Sequence, residues 1–113
     1  MRLTSEMWVK ALVRRVFGDG GFAVVERPGS PEAGAIFIRV RGRDGTQSLL
    51  SPAPQSLFDT AKPADRTFET RLENCSSDDV DAVLDRERDF DPDLWVVEVE
   101  TGEPERYFTI MPA

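Results

Sequence analysis

The apolar residues of this chain change their spacing at a cluster of glycines, and this change does most to limit the folds open to it. Over residues 4–16, apolar side chains recur every three or four positions, as on one face of a helix. From Phe22 onward they alternate with polar ones, as in strands. Glycine tolerates the left-handed backbone that closes many helices, so residues 18–21 are predicted to end the first helix.

The same patterns predict further strands and a second helix. An Asp-Gly turn joins the regular strand at residues 35–41 to its successor, so the first three strands are expected to form an antiparallel meander. Ser76 or Ser77 begins the second helix, and Pro92 limits its end. The predicted strands are residues 22–26, 35–41, 47–51, 67–72 and 94–100, with residues 107–111 as a candidate edge strand.

These elements predict one α+β domain over residues 1–113, with a mostly antiparallel sheet of about five strands and two helices packed on one face. A chain of this length with 40% hydrophobic residues can build one core. No segment approaches the roughly 20 apolar residues that span a bilayer, and the N-terminus lacks the pattern of a signal peptide. We therefore expect a cytoplasmic protein without membrane association.

Two residue counts restrict the chemistry. The chain has no histidine, which excludes Ser-His-Asp and Cys-His catalytic sets. Its single cysteine, Cys75, cannot form an internal disulfide, as is usual in the cytosol. We interpret Cys75 as a small half-buried residue beside a helix start; a reactive thiolate, favoured by that helix N-terminus, is the alternative. No cofactor is indicated, and an enzyme is the less favoured class.

The charge is uneven along the chain. The formal net charge is -7, yet residues 1–43 carry eight basic against four acidic side chains. Arg39, Arg41 and Arg43 form a basic stripe along one strand and its turn, a pattern that could contact phosphates. The acidic pI of about 4.6 opposes nucleic-acid binding. Pairing of these arginines with Glu98 and Glu100 on another strand is the preferred interpretation.

One acidic stretch resembles a metal site. Asp89, Asp91, Asp93 and Glu100 copy the first, third, fifth and twelfth ligand spacings of an EF-hand calcium loop. The sixth position of that loop requires glycine for its sharp turn, and here it is Leu94. We therefore predict a helix end followed by a polar turn, and no metal site.

The long connection over residues 51–66 is the predicted partner site. Connections in compact domains have a median of about four to six residues, and longer ones are often functional. The spacing of Leu57, Phe58 and Ala61 would align them on one side of a short helical turn, with Gln55 and Ser56 beside them as hydrogen-bonding groups. The alternative is that this turn only covers the core.

Three segments resemble an uncharacterised alphaproteobacterial family, domain of unknown function 1491. They are WVKALVRR at residues 8–15, PAPQSL at residues 52–57 and FDPDLWVVE at residues 90–98. The resemblance covers nearly the whole chain and implies a bacterial cytosolic protein of this size. It implies no activity and no catalytic residues.

The sequence does not determine the function, and it favours three classes of function in the following order. A non-enzymatic protein-interaction or regulatory module comes first, because the chain offers charged faces and a long connection but no assembled reactive group. A small-molecule-binding protein or carboxylate-based enzyme comes second, and nucleic-acid binding comes third. We expect a protein partner, and a homodimer through an edge strand is also open.

Overall fold

A computed structural model describes residues 3–54 and 66–112, and these residues form two α-helices and one six-stranded sheet. The helices are α1 (Ser5–Gly18) and α2 (Ser77–Phe90), and a short 3-10 helix spans Pro104–Arg106. The strands are β1 (Phe22–Arg27), β2 (Ile36–Arg41), β3 (Gln47–Pro52), β4 (Thr67–Cys75), β5 (Trp95–Glu100) and β6 (Thr109–Ile110).

Both helices begin and end where the local sequence signals predict. The Thr4 side chain accepts a hydrogen bond from the Met7 amide at 3.2 Å and caps α1. Ser76 and Asp79 form a reciprocal capping box at the start of α2. Neither helix is long and apolar enough to cross a membrane, in the part of the chain that the structure describes.

The sheet is mixed, with the order β1-β5-β2-β3-β4-β6, so the predicted five-stranded, mostly antiparallel sheet is wrong. Strand β5 lies between β1 and β2, antiparallel to the first and parallel to the second, which also removes the predicted meander of the first three strands. The connection from β1 to β2 crosses the start of β5, where the Ser30 amide donates to the Asp93 carbonyl at 2.8 Å. In this internal place β5 buries Trp95, Val97 and Val99 on one face and Val96 on the other.

The two helices cover opposite faces of the sheet, so the prediction that both pack on one face is also wrong. Val9, Leu12 and Val16 of α1 join a core that includes Ile38 and Val97. Residues of α2 and of the sheet face beneath it form a second core: Phe37, Leu49, Val80, Val83, Leu84, Leu94 and Val96. Because the central strands carry apolar side chains on both faces, each face needs its own cover.

An extra residue in β4 redirects its side chains. Phe68 and Leu72 are predicted to point the same way, but Phe68 lies in the α1 core and Leu72 packs against the α2 core. Leu72 and Thr70 oppose adjacent residues of β3, so Arg71 between them is an inserted bulge residue. A bulge shifts the alternation by one position, which explains the difference.

Candidate functional site

The predicted partner site on the connection between β3 and β4 lies outside the described residues. Gln55, Ser56, Leu57 and Phe58 all fall between residues 54 and 66. Their assignment as a partner site therefore stays a prediction.

The basic stripe is divided between three environments. Arg39 is buried, with 4% of its surface exposed. Arg41 is half-exposed and forms an ion pair with Glu98 at 2.9 Å, which is one of the predicted cross-strand pairs. Arg43 is exposed in the turn after β2. Among the described residues Glu100 forms no ion pair, so the predicted pairing with that residue is absent there.

Arg39 instead joins three elements of the fold in one hydrogen-bonded cluster on the α2 face of the sheet. Its guanidinium donates to both carboxylate oxygens of Glu26 on β1, at 2.9 and 3.1 Å. It also donates to the Gln47 side-chain oxygen on β3 at 2.8 Å, and to Ser77 and Asp81 on α2. The arginine thus fixes the start of α2 against the sheet.

The charge state of Arg39 follows from these contacts. Burial by itself lowers the pKa of the Arg39 guanidinium, because the charged form loses water. The hydrogen bonds and charges of Asp81 and Glu26 outweigh this and leave the pKa raised. Arg39 is therefore a permanent cation held between two carboxylates.

A bulge in β1 places Arg27 on the same side of the sheet as Glu26. Val25 opposes Val97 and Arg27 opposes Val96, so Glu26 is the additional residue between two adjacent partners on β5. Val96 packs in the α2 core, and directly opposed residues share a face. Alternation from Val24 already places Glu26 on the α2 side, and the bulge brings Arg27 there as well. The bulge is not predictable from the sequence, because residues 25–27 contain neither glycine nor proline.

A cleft of about 320 Å³ opens beside this cluster, between the end of β1 and α2. Its floor is formed by three apolar side chains, Leu84, Leu94 and Val96. Three basic and three acidic side chains line it as well: Arg27, Arg39, Arg88, Glu26, Asp81 and Asp85. A concave site with an apolar floor and converging polar groups is the usual form of a small-molecule site.

Arg27 differs from the other arginines of the cleft in its bonding. Its Nη2 donates to the Pro92 carbonyl at 3.3 Å, a long hydrogen bond. Its Nε is buried, and no acceptor among the described residues reaches it. Arg27 also has no ion-pair partner among the described residues, whereas the Arg88 guanidinium lies 3.5 Å from the Asp85 carboxylate. Buried N–H groups are almost always bonded, so an unbonded one calls for an explanation.

Strand β1 forms an exposed, uncharged edge of the sheet. It pairs only with β5 among the described strands, and residues 20–25 carry no charge. Phe22 is 44% exposed and Val24 is 41% exposed on the same face. Phe17, 53% exposed, contacts Phe22 edge to face with 6.1 Å between ring centroids. Sequence analysis missed this surface because the alternation indicated a strand without showing that it lies at an edge.

Cys75 is half-buried immediately before α2, as interpreted from the sequence. Its thiol lies 3.4 Å from the Gln47 carbonyl, to which it donates. Burial first, and the charge of Asp79 second, raise the pKa of the Cys75 thiol. A raised pKa disfavours the thiolate that a nucleophile requires.

The acidic stretch after α2 forms a turn rather than a calcium loop. Asp91 ends α2, and its side chain accepts a hydrogen bond from the Asp93 amide at 3.0 Å. Glu100 is the last residue of β5. Within the described residues, no group of three or more acidic or thiol side chains is placed to hold a metal ion. The expectation of no calcium binding stays a prediction.

Comparison with known proteins identifies the family. The family model for a protein of unknown function, DUF1491, matches residues 3–109. The solution structure of protein Atu0922 from A. tumefaciens is 53% identical, with a TM-score of 0.87, and the match covers 100% of this chain and 98% of that one. The crystal structure of a DUF1491 family protein from Caulobacter crescentus is 31% identical, with a TM-score of 0.77 and coverage of 98% and 100%.

An NMR structure of a DUF1491 family protein from Caulobacter crescentus gives the same result, with 31% identity, a TM-score of 0.79 and coverage of 99% of both chains. The comparison with curated proteins finds no match. The descriptions of the similar structures state no activity. The chain belongs to the DUF1491 family of proteins of unknown function.

Proposed function

We propose that this protein is a non-enzymatic interaction module that assembles by strand pairing at β1, and that its partner is a second copy of the chain. The observation that carries the proposal is the exposed apolar pair Phe22 and Val24 on an uncharged sheet edge. Edge strands normally carry charges, prolines or bulges that prevent pairing. In β1 the bulge and the charges begin only at Glu26, which leaves residues 22–25 open.

The spacing of the two exposed residues favours a second copy as the partner. In a two-fold antiparallel pairing centred on Ala23, directly opposed residues share a face of the sheet. Phe22 would then oppose Val24 of the partner subunit, and Val24 would oppose Phe22 of the partner subunit. Aromatic and β-branched residues stabilise such cross-strand pairs by about 0.2–1 kcal/mol each. Phe17 would extend the apolar contact on each side.

The net charge of the chain should make dimerisation depend on the salt concentration. Two copies with a formal charge of -7 each repel one another, and salt screens this repulsion. The pairing surface itself is apolar. Dimerisation is therefore expected to strengthen as ionic strength rises, unlike assembly through ion pairs.

Sedimentation equilibrium over a range of protein and salt concentrations tests the proposal. The wild type should form a dimer that tightens with salt, and Val24→Lys should stay monomeric because it places a charge on the open edge. Thr109→Lys is the matched control: it adds the same charge to the exposed position of the opposite edge strand, β6, and should dimerise as the wild type does. A wild type that is monomeric throughout, or a Val24→Lys dimer, would overturn the proposal.

A further inference from the structure

The cleft between β1 and α2 does not include the open edge at residues 22–25. Its polar side chains differ in how fully they are hydrogen-bonded. Glu26 and Asp81 both bond the single cation Arg39, so their carboxylates are already engaged in hydrogen bonds. Asp85 lies beside Arg88 at 3.5 Å, and both side chains are largely solvated. Arg27 is the cation of the cleft with no carboxylate partner among the described residues.

From this arrangement we propose that the cleft binds a small monocarboxylate with a short apolar chain, and that Arg27 holds its carboxylate. The Nε and Nη2 atoms of an arginine form one edge of the guanidinium, which matches the two oxygens of a carboxylate. In Arg27 the Nε has no acceptor within residues 3–54 and 66–112, and Nη2 has a second N–H beyond the one donated to Pro92. Nε has almost no exposed surface, so the Arg27 side chain must turn toward the cleft for a carboxylate to reach this donor.

The rest of the cleft selects the ligand class. Leu84, Leu94 and Val96 form an apolar floor, which suits a hydrocarbon chain rather than an inorganic ion. The three carboxylates that also line the cleft would repel a doubly charged anion such as phosphate more than a singly charged one. The volume of about 320 Å³ is at the lower end of the range for ligand sites, so the ligand is small.

The test follows the side-chain N–H of Arg27 by NMR while sodium butyrate is added at constant ionic strength. The Arg27 Nε–H signal is assigned by its disappearance in Arg27→Lys. We expect a saturable shift of this signal with butyrate. Butyramide, which has the same skeleton without the charge, and inorganic phosphate should give no saturable shift. Apart from the assignment of the signal, this comparison uses only the unmodified chain.

Variants then locate the site. Saturable butyrate shifts of the Val96 and Leu84 resonances should weaken by about tenfold or more in Arg27→Lys, because lysine keeps the charge but lacks the two-donor edge. Arg14→Lys, an exposed position on α1 outside the cleft, should bind as the wild type does. The proposal is overturned by a linear, non-saturating shift, by equal saturation with phosphate or butyramide, or by unchanged binding in Arg27→Lys.

Discussion

Glu26 on β1 and Arg39 on β2 are bonded across the strand that separates them. The two guanidinium bonds, at 2.9 and 3.1 Å, pass over β5, whose Glu98 is the register neighbour of Arg39. Glu98 instead bonds Arg41. Glu26 lies two residues after Val24 on the α2 face of β1, so its side chain can reach across β5 to the buried Arg39. Residues that are distant in the sheet are thereby linked through one buried cation.

Replacing Arg39 with methionine is expected to destabilise the fold. The change removes the cation that bonds Glu26, Asp81 and the buried Gln47, and it leaves those acceptors without a donor. Breaking a buried ion pair costs about 3–5 kcal/mol, but Glu26 and Asp81 are partly exposed and can regain water, so we expect about 2–4 kcal/mol. Urea unfolding followed by circular dichroism measures the difference.

Arg41→Met is the matched control for this experiment. Arg41 also lies on β2 and pairs with a carboxylate, but about half of its side chain is exposed. Exposed pairs contribute about 0–1 kcal/mol, so the loss should stay within that range. Equal losses for the two variants would show that the buried cluster adds no stability beyond an ordinary surface pair.

Gly29→Ala is expected to destabilise the protein through a backbone collision. A Cβ at this position would lie 2.2 Å from the Asp93 carbonyl oxygen, where the connection after β1 crosses the start of β5. The obstruction is backbone and cannot rotate away, so the cost is expected at about 1–3 kcal/mol. Gly18→Ala is the control, since nothing lies within 4 Å of its Cβ position at the end of α1. Thermal unfolding that ranks the two alanine variants equally would contradict this account.

The sequence is sufficient for the local elements and insufficient for their arrangement, and particular residues show why. Thr4 and Ser76 cap their helices through contacts only three residues away, so their effect is visible in the sequence. The place of β5 depends on pairing with strands far apart in the chain. Its apolar residues on both faces favour a central strand, but alternation alone does not say which neighbours it takes.

The two bulge residues also limit how far the sequence predicts which face each side chain occupies. Glu26 and Arg71 look like ordinary polar positions of alternating strands, yet each is inserted and reverses the faces of the residues around it. The place of Arg27 in the cleft and the position of Leu72 both follow from these insertions. The apolar edge at Phe22 and Val24 was missed for a related reason: whether a strand is an edge is decided by its neighbours.

The arginines of the basic stripe are expected to give no nucleic-acid binding. Arg39 is buried among acidic partners, Arg41 is paired with Glu98, and only Arg43 lies exposed in the turn. A stripe in which one cation is buried and another is paired, on a chain of net charge -7, provides little affinity for phosphates. Gel-shift assays with duplex DNA and structured RNA at low salt should show no complex. Tight binding that disappears when Arg41 and Arg43 are both replaced by glutamine would contradict this expectation, and this pair leaves the buried Arg39 in place.

Cys75 is expected to react slowly with alkylating agents near neutral pH. The thiolate is the reactive form, and burial and the nearby charge of Asp79 raise the pKa of this thiol above its ordinary value. The alkylation rate should therefore keep rising with pH beyond the point at which free cysteine levels off. The same sign applies to stability: the contribution of the protonated thiol is present below the ordinary thiol pKa and is lost as pH rises through the raised one.

The rate of iodoacetamide modification, measured against pH by mass spectrometry, gives the apparent pKa of Cys75. Asp79→Asn should lower that pKa, because it removes the charge that disfavours the thiolate while keeping an oxygen to accept the Ser76 amide. Asp78→Asn removes the same charge from the same helix turn, but Asp78 does not contribute to the shift and its replacement should move the pKa less. An apparent pKa below that of free cysteine in the wild type would instead mean that the N-terminus of α2 dominates and that Cys75 is an activated thiol.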